Sequence, residues 1–237
     1  MTEFQDIWTY LSSEPLLWLT ATLMAYVIGD VLFLASGKRP YVNPVLIAVA
    51  LLAVALMATG TSYEAYFEGA KFVHFMLGPA TVCLAVPLFL NIKVVGKSLL
   101  PMLVALVLGS LTAIVTALGT AYAFGIRGEV LLSLAPKSVT APVAMGISES
   151  IGGSPTLTAV MVIITGITGA IICTPLLNAL RIKDYRARGF AVGVSSHGIG
   201  TARAFQVSET AGVFSGIGMG ANALATSILV PLVLLFS

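Results

Sequence analysis

Between Leu99 and Phe124 the chain carries no charged side chain, and the same holds from Pro40 to Tyr63. A helix needs roughly 20 apolar residues to cross a bilayer core, so such runs dictate membrane helices before anything else. Charge is scarce throughout: of 237 residues 9% are charged and 58% apolar, whereas soluble domains hold about a quarter charged. Twelve Lys and Arg against ten Asp and Glu leave a net +2, too little for a nucleic-acid binder. Cys83 and Cys173 both lie in apolar runs, which speaks against a disulfide framework. Glu3 and Asp6 stand where a leader peptide wants positive charge, so no cleaved leader is expected. The expected fold is all-α, a polytopic transmembrane bundle of about seven or eight segments, forming one domain over residues 1–237.

The apolar segments cover residues 15–36, 44–60, 72–90, 99–124, 131–152, 156–180, 189–207 and 213 to the end. Segment one is interrupted only by Asp30, and an amphipathic lead-in with Glu64 and Glu68 precedes segment three. Segment five is broken up by Pro136, Lys137, Pro142, Glu149 and the Gly152–Gly153 pair. Segment seven is short, rich in Gly and Ser, and holds His197 and Arg203. Cytoplasmic loops collect Lys and Arg, which here form Lys38–Arg39, Lys93 with Lys97, and Arg181, Lys183, Arg186 and Arg188. If every segment crossed once, the last group would land opposite the other two. The conflict disappears if segment five is re-entrant, entering and leaving on one face, with its irregular backbone covered by protein or water. That topology places the N-terminus outside and the C-terminus inside. An internal repeat at an offset of 57 residues lays Pro44-Val-Leu-Ile-Ala48 over Pro101-Met-Leu-Val-Ala105, and Leu77-Gly-Pro-Ala-Thr-Val82 over Leu134-Ala-Pro-Lys-Ser-Val139. Paired Gly- and Pro-interrupted segments of this kind point to transporter binding sites.

Three polar clusters fall at membrane depth. Pro79 and Thr81, with Pro87 further on, either free backbone groups for a solute or simply kink a helix. Lys137, Ser138 and Thr140, followed by Glu149, form the second cluster. A charged residue there costs at least about 2.5–3.5 kcal/mol and ordinarily marks a pathway or a pair; hydroxyls around Lys137 suit an anion. The third cluster is Ser195 to Arg203: Gly198 and Gly200 permit close backbone approach, Thr201 adds a hydroxyl, and Arg203 offers a two-pronged carboxylate donor. His197 titrates near neutrality and joins Glu149 as a candidate coupling group; Asp30 either does the same or faces Lys38. Gly216, Gly218 and Gly220 mimic a nucleotide fingerprint, but small residues there suit helix packing better.

Leu77-Gly-Pro-Ala-Thr-Val82, Pro136-Lys-Ser-Val-Thr140, Met145-Gly-Ile-Ser-Glu-Ser-Ile-Gly-Gly153 and Ser196-His-Gly-Ile-Gly-Thr-Ala-Arg-Ala204 together resemble the LrgB/CidB membrane family over essentially the whole chain. The resemblance implies a bacterial cytoplasmic-membrane protein working with a small LrgA/CidA-type membrane partner. Its members are described as holin- or antiholin-like factors acting on murein hydrolases, and include a plastid glycolate/glycerate translocator and bacterial pyruvate systems. The leading expectation is therefore a homo-oligomeric carrier or facilitator of small organic monocarboxylates, coupled to an ion gradient or passive, with no cofactor and no metal. A holin-like pore or regulator of autolysis is the alternative. An enzyme fits least: Ser195 and His197 are two residues apart and on a helix do not face each other.

Overall fold

The computed structural model describes residues 14–83, 85–90 and 92–235; side chains at several positions between 74 and 97, His74 and Thr81 among them, lie outside that description, as do Glu3 and Asp6. Regular structure among the described residues is helical: α1 Pro15–Ala35, α2 Pro44–Thr59, α3 Tyr63–Cys83, α4 Ala85–Leu90, α5 Ile92–Lys97, α6 Leu99–Ala123, α7 Gly128–Leu134, α8 Ala141–Ser150, α9 Pro155–Ala179, α10 Tyr185–Val207 and α11 Glu209–Leu234. Helices α1, α6, α9 and α11 are long and apolar enough to cross a membrane, and α2 is a shorter apolar helix. The chain divides into two compact units, residues 1–85 and 86–237.

In the first unit α1 packs against α2 and α3. Gly69 of α3 lies against the Pro15 carbonyl, and Trp18 meets Tyr66 edge-on at 5.8 Å. Asn43 caps α2 by accepting from the Val45 and Leu46 amides at 2.9 and 3.1 Å. The amphipathic lead-in is the first turns of α3 itself, and Pro79 sits inside that helix without ending it.

The second unit is built on two hairpins. Segment five is hairpin A: α7 and α8, of seven and ten residues, span only ~10 and ~15 Å at 1.5 Å per residue, against ~30 Å of hydrocarbon. Its two ends are tied together. The Ser154 amide donates to Ser133 Oγ at 2.7 Å, Thr158 Oγ1 donates to the Ser133 carbonyl at 2.9 Å, and Ser148 Oγ lies 2.7 Å from Thr158 Oγ1. Helix α9 thus leaves from the face at which α6 ended. At its far end Asp184, Arg186 and Ala187 share a cavity with Ser98 and Pro101 at the start of α6. The 181–188 loop accordingly lies on the face of Lys93 and Lys97, as a re-entrant segment five requires.

Hairpin B was not anticipated. Helix α10 contains one non-helical residue, His197, at φ 42° and ψ −136°. Before it, residues 185–196 run parallel to α11, with Gly189 against the Ala211 carbonyl and Gly193 against the Ser215 carbonyl. After it the direction reverses: Thr201 Oγ1 meets Ser215 Oγ at 2.9 Å and Phe205 abuts Gly212. The returning half closes on the first, Gly200 against Ser196 and Val192, until Val207 and Arg188 line one small cavity. Segment seven therefore re-enters too, from the 181–188 face. This corrects the expected C-terminal side, since α11 begins on that face and ends beside hairpin A, where Val230 packs with Ala135, Val139, Ala144 and Val162. Pro44 and Pro101 both stand in the first turn of a helix, whereas residues 77–82 are helical and 134–139 form a turn.

The hairpin tips meet at Asn222, near the middle of α11 and 1% exposed. Its Nδ2 donates to the Ser138 carbonyl of hairpin A at 3.2 Å and to the Val194 carbonyl of hairpin B at 2.9 Å. Its Oδ1 accepts from Ser110 of α6 at 2.6 Å and from Thr226 at 3.2 Å. Replacing it by an apolar residue strands two buried carbonyls, at about 1–3 kcal/mol each. Asn222→Leu is expected to lower the unfolding temperature of the purified protein far more than Ser110→Ala, which leaves Thr226 bonded to Oδ1; equal shifts would contradict the tie. At the hairpin A mouth, Thr158→Val should destabilise by about 1–3 kcal/mol, while Thr158→Ser, which keeps the hydroxyl, should be close to neutral in the same melt.

Candidate functional site

Six residues, 135–140, separate α7 from α8: Pro136 cannot continue α7, and Pro142 disfavours helix before it while starting α8 in its first turn. Lys137 stands on this tip, half-buried, with Nζ 3.4 Å from the buried Ser138 Oγ. Thr140 is half-buried and its carbonyl accepts from the Ala144 amide at 2.9 Å, starting α8. The tips of clusters two and three thus converge around Asn222 of α11, beside Ser110 of α6 and Val162 of α9.

His197 is 4% exposed, and its Nε2 lies 2.8 Å from the Val162 carbonyl of α9. A carbonyl only accepts, so Nε2 carries a proton and serves as donor. Gly166 and Gly169 of α9 provide the room: a Cβ on Gly166 would come within 2.5 Å of the His197 ring, and one on Gly169 would occupy the place of Ser196 Oγ. A positive φ on a non-glycine residue carries strain of order 1–3 kcal/mol and persists only where the surroundings enforce it. Here they do: Thr201 Oγ1 donates to the His197 carbonyl at 2.8 Å and lies against Ser215. His197 and Thr201 hold the break in place.

The remaining expected site residues divide. Gly198 is exposed, and a Cβ there would meet nothing nearer than Met219 Sδ at 3.9 Å, so its backbone is open. Gly200 is closed off beneath Ser196, where a Cβ would sit 2.5 Å from the serine Cβ, and it serves the hairpin's own packing. Arg203 is buried on the returning half of hairpin B, beside Cys173 and 3.4 Å from Gln206 Oε1, about two turns from the tip. Glu149 corrects the expectation of a carboxylate at membrane depth. It is exposed on the last turn of α8, at the mouth of hairpin A, and forms no ion pair with Lys137 or Arg203. Asp30, half-buried in α1, and Pro79, exposed in α3, belong to the first unit, and the Thr81 side chain lies outside the described residues. Ser195 and His197 do not form a nucleophile–base pair: Ser195 Oγ bonds Ser196 and the Val192 carbonyl, and His197 Nε2 is committed to Val162.

Sequence reasoning missed Asn222, Ser110 and Ser133. Asn222 is the one amide side chain in segment eight, and an amide alone in an uncharged membrane helix is itself a signal, because it needs partners there.

A model of the "LrgB-like family" matches residues 22–236. The chain is 39% identical to "Uncharacterized protein YxaC" of Bacillus subtilis (strain 168) over 194 residues, covering 82% of this chain and 84% of that one. It is 35% identical to "Holin-like protein CidB" of Staphylococcus epidermidis over 226 residues (92% and 98%), and 33% identical to "Holin-like protein CidB" of Staphylococcus aureus (strain Mu50) over 224 residues (94% and 97%). No solved structure matches. With a family match over nearly its whole length and four apolar helices of spanning size, this chain is a multi-pass protein of the bacterial cytoplasmic membrane and belongs to the LrgB-like family.

Proposed function

We propose that the chain is a secondary carrier or facilitator of small organic monocarboxylates, of the glycolate, lactate or pyruvate size, held at the meeting point of the two hairpin tips. The observation that carries this reading is Lys137. It is a cation at mid-membrane with a hydroxyl beside it, and among the described residues no carboxylate lies within ion-pair distance of it. Such a charge costs several kcal/mol to place there, and a solute carboxylate offsets that cost. The exposed Gly198, at the start of the returning half-helix, leaves room for an anion to approach the backbone there. Arg203, about two turns from the tip on the returning half of hairpin B, is a second cation available to the solute carboxylate. His197 holds the fold of the tip in this reading, and Glu149, exposed at the mouth of hairpin A, is the candidate coupling group. A small LrgA/CidA-type membrane protein is the proposed partner, in a homo-oligomeric assembly.

A holin-like pore is the second reading, favoured by the names of the staphylococcal relatives. Purified protein in liposomes separates the two. A carrier gives saturable uptake of radiolabelled C2–C4 acids while an entrapped large dye is retained, and a pore releases the dye. Lys137→Gln is expected to abolish the saturable component and Lys137→Arg to keep part of it. Arg203→Lys should lower apparent affinity less than tenfold, under roughly 1.4 kcal/mol. Uptake by Lys137→Gln equal to that of the parent chain would overturn the assignment.

A further inference from the structure

Between α6 and the entering half of hairpin B lies a cavity of about 600 Å³. Its walls are two facing rows of small residues at four-residue spacing: Ala105, Gly109 and Ala113 on α6, and Ala187, Ala191 and Ser195 on α10. In apolar helices such rows ordinarily bring backbones into contact. Here they bound an open groove, whose floor is shared by Met102, Phe190, Val194 and Phe214 of the apolar cluster between α6, α10 and α11. Polar groups occur at the ends. At the mouth stand Ser98 and the Asp184–Arg186 pair, in which the guanidinium donates to Asp184 at 2.6 Å and, with the backbone amides, holds that carboxyl at about 2. At the inner end stands the exposed Ser195, next to Ser196 and two residues from the His197 break.

The inner end is linked to the proposed site through hydrogen bonds. Val194, which lines it, is bonded through its carbonyl to Asn222, and Asn222 bonds Ser138, the neighbour of Lys137. Ile114, Leu118, Val139, Ile147 and Val162 pack into an apolar cluster around hairpin A.

From this placement, mouth on the 181–188 face and inner end beside the break of hairpin B, we infer that the cavity is the route by which the carboxylate solute reaches the hairpin tips, with Gly109 opposite Val194 as a narrow point. The inference rests on the proposed carrier function and adds a path, a side and a width limit to it. A short-chain acid suits such a route: its carboxylate passes polar groups at both ends and its alkyl part passes alanines between. The narrow point is tight already, since a Cβ on Gly109 would lie 3.3 Å from Val194 Cγ1.

The test uses full-length protein in liposomes, with Cys83→Ser and Cys173→Ala removing the native thiols. Ala191→Cys is introduced, and each preparation is compared with its own uptake before reagent. A membrane-impermeant, negatively charged methanethiosulfonate applied on the 181–188 face should cut saturable uptake at least tenfold. Excess unlabelled solute should slow the reaction, and the same reagent on the other face should have no effect. Gly109→Ala should cut uptake of a C4 acid several-fold more than uptake of a C2 acid, a dependence on solute size that general destabilisation would not produce. Modification that leaves uptake unchanged, or Ala191→Cys reacting only with a lipid-soluble maleimide, would overturn the route and assign the cavity to the lipid-facing surface. If the parent chain shows no saturable uptake at all, it is the carrier reading that fails instead.

Discussion

A backbone that leaves its helix inside a bilayer exposes amides and carbonyls to a solvent that cannot bond them, and the second unit does so twice among the described residues, at 135–140 and at His197. Everything else in the second unit follows from covering those two interruptions. They are brought to one level, so that a single side chain, Asn222, satisfies a carbonyl from each while accepting from Ser110 and Thr226. The long helices α6, α9 and α11 supply the wall, and the glycines of α9 admit the His197 ring and Ser196. A break forced on a histidine rather than a glycine indicates that the surroundings, not the local residue, determine where hairpin B turns.

Two hairpins entering from opposite faces explain why so much polarity can sit in a chain this apolar. Ser133, Ser148 and Thr158 close the mouth of one hairpin, and Thr201 and Ser215 lock the break in the other. These bonds do not involve Lys137, and the proposed function turns on that charge. A hole formed by associated helices needs neither broken segments nor an interior cation; a site that must bind one anion and open to one side at a time needs both.

Much of this was legible in the residues. Segment five announced itself as a hairpin because prolines, charges and a diglycine sit in an apolar frame, and the basic loops then demanded that it return to its own face. Hairpin B was hidden for a physical reason: its break takes one residue, and the flanking Gly198 and Gly200 read equally well as a ligand cradle. Gly200 in fact lies under Ser196, and what the pair permits is a sharp reversal. Glu149 misled in the opposite way. A carboxylate within an apolar segment looks buried, but once the segment is folded in two its end returns to the surface. Asn222 was overlooked because no neighbour in sequence shares its role; its four partners come from residues 110, 138, 194 and 226, a constellation that exists only after folding.

The opposed hairpins are tested most directly by the sidedness of their four mouths. Single cysteines at Glu129 and Ser150 flank hairpin A, and at Ala187 and Glu209 flank hairpin B, each in the background lacking Cys83 and Cys173. With an impermeant thiol reagent on intact cells, Glu129→Cys and Ser150→Cys should both react, and Ala187→Cys and Glu209→Cys should both be shielded until the membrane is opened. Labelling of Glu209→Cys but not Ala187→Cys in intact cells would mean that segment seven crosses the membrane, and the two tips could not then meet as described.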